Sequence, residues 1–257
     1  MEQPILVLKI GSSTITGGTP RISRGFLENL AQQFQRLRTD YQIILVSSGA
    51  VAAARRFVQS ARWKDRVASK QALSAIGQPK LMQVYYEVFS DYDLPIAQCL
   101  LTYTDFERPT SRTNTLNTIS ELLHQGYVPI INENDTVAVE ELIVGDNDKL
   151  SALVAILVKA EVLVLASDVN GLYNKNPHVH ADAQLLQHIS DINAARRYVD
   201  EKPNDFGTGG MTSKLAAAEL CAQAHIDTII TNGGVPDFLV RTLRGELTAT
   251  RFSMTSI

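Results

Sequence analysis

Two lysines lie in places where a cation could bind a phosphate. Lys9 follows the apolar residues 5–8, which are predicted to form the first strand, and Lys214 falls in the first turn of a helix predicted over 211–224. A lysine at the start of a helix opposes the helix dipole, so helix preference does not explain Lys214, whereas a phosphate bound at that terminus would. Lys9 taken alone also fits a strand-end lysine with a buried stem and a solvated ammonium group. Together they are our first candidates for chemistry on a phosphoryl group.

A short acidic and amide cluster is the second candidate. It reads Gly145-Asp146-Asn147-Asp148 and precedes an apolar helical segment. The cluster lacks the twelve-position pattern and terminal Glu of a calcium loop. One Asp or Asn is enough to cap a helix N-terminus, and this cluster offers more than a cap needs. We therefore interpret it as functional.

Small polar residues and glycines follow almost every predicted strand. In open α/β sheets, ligands bind outside the carboxyl ends of the strands, and glycine lets the backbone approach a phosphate closely. Any one such glycine is also compatible with an ordinary turn, but the repetition along one sheet edge indicates a binding site. The residues concerned are Gly11, Ser12 and Ser13; Ser47, Ser48 and Gly49; Asn132, Glu133, Asn134 and Asp135; and Ser167 with Asp168.

The two commonest nucleotide-binding motifs are absent from the sequence. The stretch from Gly207 to Lys214 lacks the spacing of a P-loop, and Lys9 with Gly11 is not a Gly-x-Gly-x-x-Gly dinucleotide fingerprint. These absences exclude the commonest nucleotide folds and leave nucleotide binding itself open.

The elements that must position these residues alternate along the chain. Short runs rich in β-branched residues alternate with segments of helical period, which predicts a three-layer α/β/α sandwich around a mostly parallel sheet. A hairpin is predicted at 137–144, and a last small strand and helix after residue 232. The predicted strands are 5–8, 43–46, 94–101, 128–131, 162–165 and 228–231, and the predicted helices are 23–38, 50–57, 67–89, 114–123, 150–158 and 211–224.

Composition narrows the class of protein. The chain has 257 residues, 45% hydrophobic and 20% charged, which is ordinary for one large or two small globular domains. Its net charge of −3 argues against a nucleic-acid-binding protein. Without a signal peptide or an apolar run near the ~20 residues of a membrane span, we expect a cytoplasmic protein with no membrane contact. Cys99 and Cys221 are expected to be buried free thiols, with a disulfide left open.

Taken together, these segments resemble the amino acid kinase family over essentially the whole chain. Within it they are most similar to the branch that phosphorylates the side-chain carboxylate of glutamate, on the route to proline. Many members of that branch carry a C-terminal PUA domain, and we expect this chain to be a form without it. The matching segments are 7–13, 46–51, 68–73, 77–78, 128–135, 144–148, 151–152, 167–168, 171–173 and 207–214, of which Ile-Asn-Glu-Asn-Asp at 131–135 and Gly-Asp-Asn-Asp at 145–148 are the most specific.

The resemblance implies a role for each candidate residue. It implies a single kinase domain over 1–257, with a glutamate-binding lobe at about 1–160 and an ATP-binding lobe at about 161–257. It names Lys9, Lys214 and Asp148 as catalytic; Ser48, Gly49, Ala50, Asn132, Asn134, Asp135 and Asn147 as glutamate-binding; and Lys9, Gly11, Ser167, Asp168, Thr208, Gly209, Gly210, Met211, Thr212, Ser213 and Lys214 as ATP-binding.

The resemblance also implies cofactors and partners. The substrates would be L-glutamate and ATP, and Mg²⁺ would be held mainly by phosphates and water, with no protein ligand to the metal. Proline would be a feedback inhibitor, and a glutamyl phosphate reductase would use the product. A homo-oligomer, dimer or tetramer, is expected, with helix 67–89 as a contact.

Two other readings remain open from the sequence. One is another kinase of the same family, such as an N-acetylglutamate or aspartate kinase. Asp135 separates these, because a free substrate ammonium group calls for a carboxylate and an acetylated amine does not. The other is a non-catalytic amino-acid sensor on the same fold, which could dispense with Lys9, Lys214 and Asp148.

Overall fold

A single mixed sheet organises the part of the chain that the structure describes. The structure is a computed structural model and describes residues 3–58, 66–138, 147–177, 179–199 and 210–253. The strands are β1 (Ile5–Ile10), β2 (Gln42–Ser47), β3 (Ile96–Leu101), β4 (Val128–Glu133), β5 (Val162–Ser167), β6 (His188–Ile189), β7 (Asp227–Asn232) and β8 (Thr250–Phe252). The helices are α1 (Ser12–Thr16), α2 (Arg24–Leu37), α3 (Ala50–Ala54), α4 (Arg66–Ser90), α5 (Thr104–Glu107), α6 (Pro109–His124), α7 (Asn147–Val158), α8 (Ile192–Ala195), α9 (Met211–Gln223) and α10 (Phe238–Leu243), with 3₁₀ turns at Arg55–Phe57 and Arg196–Tyr198.

The strand order is β3-β4-β2-β1-β5-β7-β8-β6. All neighbours from β3 to β7 run parallel, whereas β8 is antiparallel to β7 and parallel to β6. The chain leaves β1 toward β2 and later returns to β5 on the other side of β1. The direction of winding therefore reverses at β1, which is where open α/β sheets bind their ligands.

The side chains of β1 alternate between two separate cores. Leu6, Leu8 and Ile10 pack with α2, α4 and α10, whereas Val7 packs with α6, α7 and α9. This period of two places Lys9 on the same face as Val7, toward α7 and α9. Helices therefore cover both faces of the sheet, which confirms the predicted three-layer α/β/α sandwich.

Several element boundaries differ from the predictions. Residues 12–16, where no helix was predicted, form α1, which ends at Gly17 with φ 57°. A five-residue helix is too short to show a helical period, and glycine is favoured at its end because it adopts the left-handed conformation readily. The helix expected at 114–123 begins earlier, with Pro109 in its first turn, where a missing N–H costs nothing.

Two further expectations concern the hairpin and membrane spans. The hairpin expected at 137–144 lies outside the described residues from 139 onward. Within the described ranges, none of the helices has both the length and the apolar character needed to cross a bilayer.

Helices α3 and α4 are in direct backbone contact at Gly77. A Cβ atom at that position would collide with the carbonyl oxygen of Ala50 and lie 2.9 Å from the amide nitrogen of Ala54. Because α3 follows the predicted substrate loop at Gly49, this contact fixes α4 relative to that loop.

Replacing Gly77 by alanine should therefore separate α3 from α4. We expect Gly77→Ala to lower the free energy of unfolding by about 3 kcal/mol, measured by urea denaturation, because backbone cannot move aside as a flexible side chain can. The matched control is Gly25→Ala in α2, where an added Cβ has nothing within 4 Å. That variant should be neutral or more stable by up to about 1 kcal/mol. Equal effects of the two substitutions would contradict the role given to the contact.

Candidate active site

The two candidate lysines meet on one aspartate. Nζ of Lys9 lies 2.5 Å from Oδ1 of Asp148, and Nζ of Lys214 lies 3.0 Å from Oδ2. The side chains of Lys9, Asp148 and Lys214 are 5%, 0% and 7% exposed. Two ammonium groups and one carboxylate leave this buried group with a net charge of +1. We call these three residues the lysine–aspartate triad.

Each member of the triad comes from a different element. Lys9 is the fifth residue of β1, Asp148 lies in the first turn of α7, and Lys214 is the fourth residue of α9. Asp148 suits the start of a helix, where the dipole favours a carboxylate. Lys214 opposes the dipole of α9, and Asp148 offsets this across the interface between α7 and α9. The surplus positive charge favours a further anion beside the triad.

Ser213 joins the triad from the residue before Lys214. Its Oγ donates to Oδ2 of Asp148 at 2.9 Å and to the carbonyl oxygen of Gly210 at 2.8 Å. Ser213 was predicted to contact ATP, and its hydroxyl lies against Asp148.

The pKa of Asp148 is set by opposing effects. Burial by itself raises the pKa of this carboxyl group, but the charges of Lys9 and Lys214 and their hydrogen bonds outweigh burial and hold the pKa well below its ordinary range. Asp148 is therefore ionised at every pH at which a kinase would be assayed.

This depressed pKa predicts a pH dependence for stability. The stabilisation from Asp148 is complete above the pKa of an unfolded aspartate, about 3.9, and is lost as the pH falls toward the lower folded-state pKa. We expect the difference in unfolding free energy between the wild type and Asp148→Asn to stay constant from pH 8 to about 5 and to shrink below about 4. Urea titrations across this range measure it. A difference that already shrinks between pH 7 and pH 5 would contradict the depressed pKa.

Three of the predicted glutamate-binding residues are joined by hydrogen bonds in a chain that ends at Gln78. We call Ser48, Asn147, Asn132 and Gln78 the amide relay. Nδ2 of Asn147 donates to Oγ of Ser48 at 2.9 Å and to Oδ1 of Asn132 at 2.8 Å. Nδ2 of Asn132 in turn donates to Oε1 of Gln78 at 2.9 Å. Because Asn147 precedes Asp148, the relay joins the triad to the end of β4. Ser48, Asn132 and Asn147 are thus brought together, and Gln78 joins them without having been predicted.

Asp135 is held from the same helix as Gln78. Oγ of Ser74 donates to Oδ2 of Asp135 at 2.5 Å, and the side chain of Ser74 is buried. Asn134 differs from its neighbours, because its side chain accepts from the hydroxyl of Thr136 within the turn that follows β4. Ser74 and Gln78 lie one helical turn apart on α4, and this polar pair was the sequence signal that could have identified them.

Three helices around the site begin at a glycine without a side-chain cap. Gly11, Gly49 and Gly210 are the N-cap residues of α1, α3 and α9. Gly49 has φ 117°, and an added Cβ would lie 3.2 Å from Ile15, so glycine is required there on two grounds. Ala50 follows it as the buried first residue of α3.

Some of the predicted ATP-binding residues lie beside β1. Ser167 ends β5, and its hydroxyl donates to Oδ1 of Asp168 at 3.1 Å. Met211 and Thr212 begin α9, immediately before Ser213 and Lys214. Thr208 and Gly209, and the Gly145 and Asp146 of the acidic cluster, lie outside the described residues.

The described ranges contain two free thiols and no cluster of metal ligands. Within them, no group of three or more His, Cys, Asp or Glu side chains could hold a metal ion. Cys99 and Cys221 are free thiols, with Cys99 only partly buried. Burial raises the pKa of Cys221 to about 11, so this thiol is unreactive near neutral pH.

Comparison with known proteins places the chain in a family. The sequence profile of the amino acid kinase family matches residues 4–232, and the chain belongs to that family. Its curated relatives include the glutamate 5-kinase of Symbiobacterium thermophilum, 43% identical over 249 residues, with 96% of this chain and 95% of that protein covered. The glutamate 5-kinase of Sodalis glossinidius is 42% identical over 249 residues, with 96% and 68% covered.

Solved structures share the fold at lower sequence identity. The carbamate kinase of Giardia lamblia, solved with AMP-PNP, superimposes with a TM-score of 0.71 at 17% identity, covering 98% of this chain and 99% of that one. The UMP kinase of Ureaplasma parvum gives a TM-score of 0.70 at 16% identity, covering 98% and 100%. These likenesses show the fold alone.

Proposed function

We propose that this protein is a glutamate 5-kinase. It transfers the γ-phosphoryl group of ATP to the side-chain carboxylate of L-glutamate, which yields L-glutamyl 5-phosphate and ADP. The observation that carries the proposal is the triad, in which two buried lysines contact the two oxygens of Asp148 at 2.5 and 3.0 Å. The curated relatives, which are 39–43% identical, are glutamate 5-kinases, and this supports glutamate as the phosphoryl acceptor.

The chemistry explains why such a triad is useful. An oxygen of the glutamate carboxylate attacks the γ-phosphorus, the bond from that phosphorus to the bridging oxygen breaks, and ADP leaves with that oxygen. Both reactants are anionic, so catalysis depends on positioning and on positive charge. Lys9 and Lys214 supply that charge, and Asp148 holds them in place. No general base is needed, because a glutamate side chain is already ionised at pH 7.

The glutamate site is assigned to the residues around the amide relay. Asp135 binds the substrate ammonium group, Ser48 and Asn147 line the path toward the triad, and the backbone N–H groups at Gly11 and Gly49 contact phosphoryl oxygens. What supports this assignment is the continuous hydrogen bonding from Asn147 to Ser48 and Asn132.

The nucleotide site is assigned to the carboxyl end of β5 and the start of α9. Because the N-terminus of α9 has a glycine cap and no side-chain cap, its N–H groups are available to phosphate oxygens. Residues 1–160 then form the glutamate lobe and 161–257 the ATP lobe. Mg²⁺ would be carried by the ATP phosphates and water, since Asp148 is engaged by the lysines and Mg²⁺ retains several waters readily.

A hydroxamate assay tests this function directly. The purified protein with ATP, Mg²⁺, hydroxylamine and L-glutamate should form glutamyl hydroxamate together with ADP, because hydroxylamine traps an acyl phosphate. Aspartate, N-acetylglutamate and carbamate serve as competing acceptors. Turnover of N-acetylglutamate in preference to glutamate would assign the chain to another kinase of the family, and no turnover of any acceptor would favour a sensor.

Asp135 provides the sharpest test of substrate orientation. We expect Asp135→Asn to raise the KM for glutamate by about 10–100-fold, the size of a lost hydrogen bond to a charged group, while the KM for ATP stays near the wild-type value. Initial rates with each substrate varied in turn measure both constants. The exposed Asp40→Asn is the matched control and should change neither. If the two KM values rise together, the role assigned to Asp135 is wrong.

Further partners follow from the same proposal. We expect a homo-oligomer with α4 as a contact, supported by the exposed Val67, Ile76 and Tyr86 on that helix. Proline is expected to compete with glutamate, and a glutamyl phosphate reductase is expected to use the product, because an acyl phosphate is short-lived in water. A kinase that consumes ATP needs a compartment that contains it, and we propose the cytoplasm.

A further inference from the structure

Gln78 carries a buried hydrogen-bond donor that the proposed mechanism does not use. Its side chain lies on α4, and the residue is 7% exposed. Oε1 accepts from Asn132, whereas Nε2 has no acceptor among the residues that the structure describes. Leaving a buried donor without a partner is energetically unfavourable, so such a group requires an explanation.

The orientation of this amide follows from a backbone group. The N–H of Glu133 can only donate, and it lies 2.9 Å from the side chain of Asn132, so the atom facing it is Oδ1. The other end of Asn132 is then Nδ2, which must donate, and the atom of Gln78 that it meets must be Oε1. Nε2 of Gln78 is therefore the last donor of the relay, and neither of its hydrogens is used by a residue that the structure describes.

The other amides of the relay have less to offer a ligand. Nδ2 of Asn147 donates to two acceptors, Ser48 and Asn132, which uses both of its hydrogens. Nδ2 of Asn132 uses one hydrogen on Gln78. Gln78 thus has the greatest remaining capacity to donate, and it lies one helical turn along α4 from Ser74, which holds Asp135.

We propose that Nε2 of Gln78 binds the α-carboxylate of L-glutamate, an inference that rests on the proposed function. Glutamate brings three charged groups to the site. Its side-chain carboxylate is assigned to the triad and its ammonium group to Asp135, which leaves the α-carboxylate in need of a donor. A buried amide N–H pair, one helical turn from the residue that holds Asp135, supplies it. Gln78 is thereby a specificity-determining residue for α-amino acids.

Two truncated ligands separate the ends of the substrate. Glutarate keeps the α-carboxylate and lacks the ammonium group, whereas 4-aminobutyrate keeps the ammonium group and lacks the α-carboxylate. In Gln78→Glu, Oε1 remains to accept from Asn132, and a carboxylate oxygen replaces the donor. We expect the KM for glutamate and the inhibition constant of glutarate to rise about 100-fold, from a lost charged hydrogen bond and added repulsion. The inhibition constant of 4-aminobutyrate should stay the same or fall.

The controls distinguish this contact from a general disturbance of α4. Gln83→Met removes the amide of an exposed residue on the same helix. It should alter neither the KM for glutamate nor the inhibition constants of glutarate and 4-aminobutyrate. If Gln78→Glu does not fold, the same comparison is made with Gln78→Met, which also lacks the donor. The unfolding midpoint of Gln78→Met and its KM for ATP show whether that variant is folded. Equal losses for glutamate and 4-aminobutyrate would overturn the inference while leaving the kinase intact. A wild-type protein that forms no glutamyl hydroxamate would instead reject the proposed function and the inference with it.

Discussion

In the Asp148→Asn variant, we expect kcat to fall at least about 100-fold and the free energy of unfolding to fall by about 3–5 kcal/mol. The substitution changes the charge of the triad from +1 to +2 and leaves two buried ammonium groups facing each other without a carboxylate between them. The lysines should separate, so the positive charge no longer meets the transferring phosphoryl group. Hydroxamate formation measures the first effect and urea denaturation the second.

The control is an aspartate in an exposed ion pair. Asp182 contacts Lys175 at the surface, with Asp182 77% exposed, so solvent screens the pair. We expect Asp182→Asn to change neither activity nor stability measurably. An Asp148→Asn variant that keeps wild-type kcat would remove Asp148 from the catalytic machinery.

Removal of either lysine should lower kcat strongly while changing stability far less than Asp148→Asn does. In Lys9→Met or Lys214→Met, the triad becomes a neutral pair of one lysine and Asp148, so stability should change far less than in Asp148→Asn. We expect kcat to fall by about 10²–10³-fold, because a donor to the transition state is lost. The same two assays measure both effects.

Lys149→Met is the matched control for the lysines. Lys149 follows Asp148 directly, is exposed, and its Nζ lies 4.5 Å from the ring centroid of Tyr103. It should keep the wild-type kcat. Should Lys9→Met destabilise the protein as strongly as Asp148→Asn, the triad would be a structural cluster and not a charge reserved for the phosphoryl group.

Most of the fold could be predicted from local patterns. Each predicted strand and helix that falls within the described residues is present, because β-branched runs reflect burial on both faces of a strand and helical periods reflect burial on one face of a helix. The elements that were missed, α1, α5, α8 and β6, have two to five residues, too few for any period to appear. Glycines cap α1, the side chain of Asp191 caps the start of α8, and β6 is defined by its pairing with β8.

The sequence by itself predicted a phosphate-binding site at the carboxyl edge of a parallel sheet. It identified Lys9, Asp148 and Lys214 by their residue types at the end of a strand and the starts of helices. Local patterns alone could not show that Asp148 contacts both lysines, or that Ser74 and Gln78 reach the end of β4. Those contacts join residues 54 to 139 positions apart, and they depend on how α4, α7 and α9 pack on the sheet. Packing is decided by the summed burial of both cores, which no local run of residues contains.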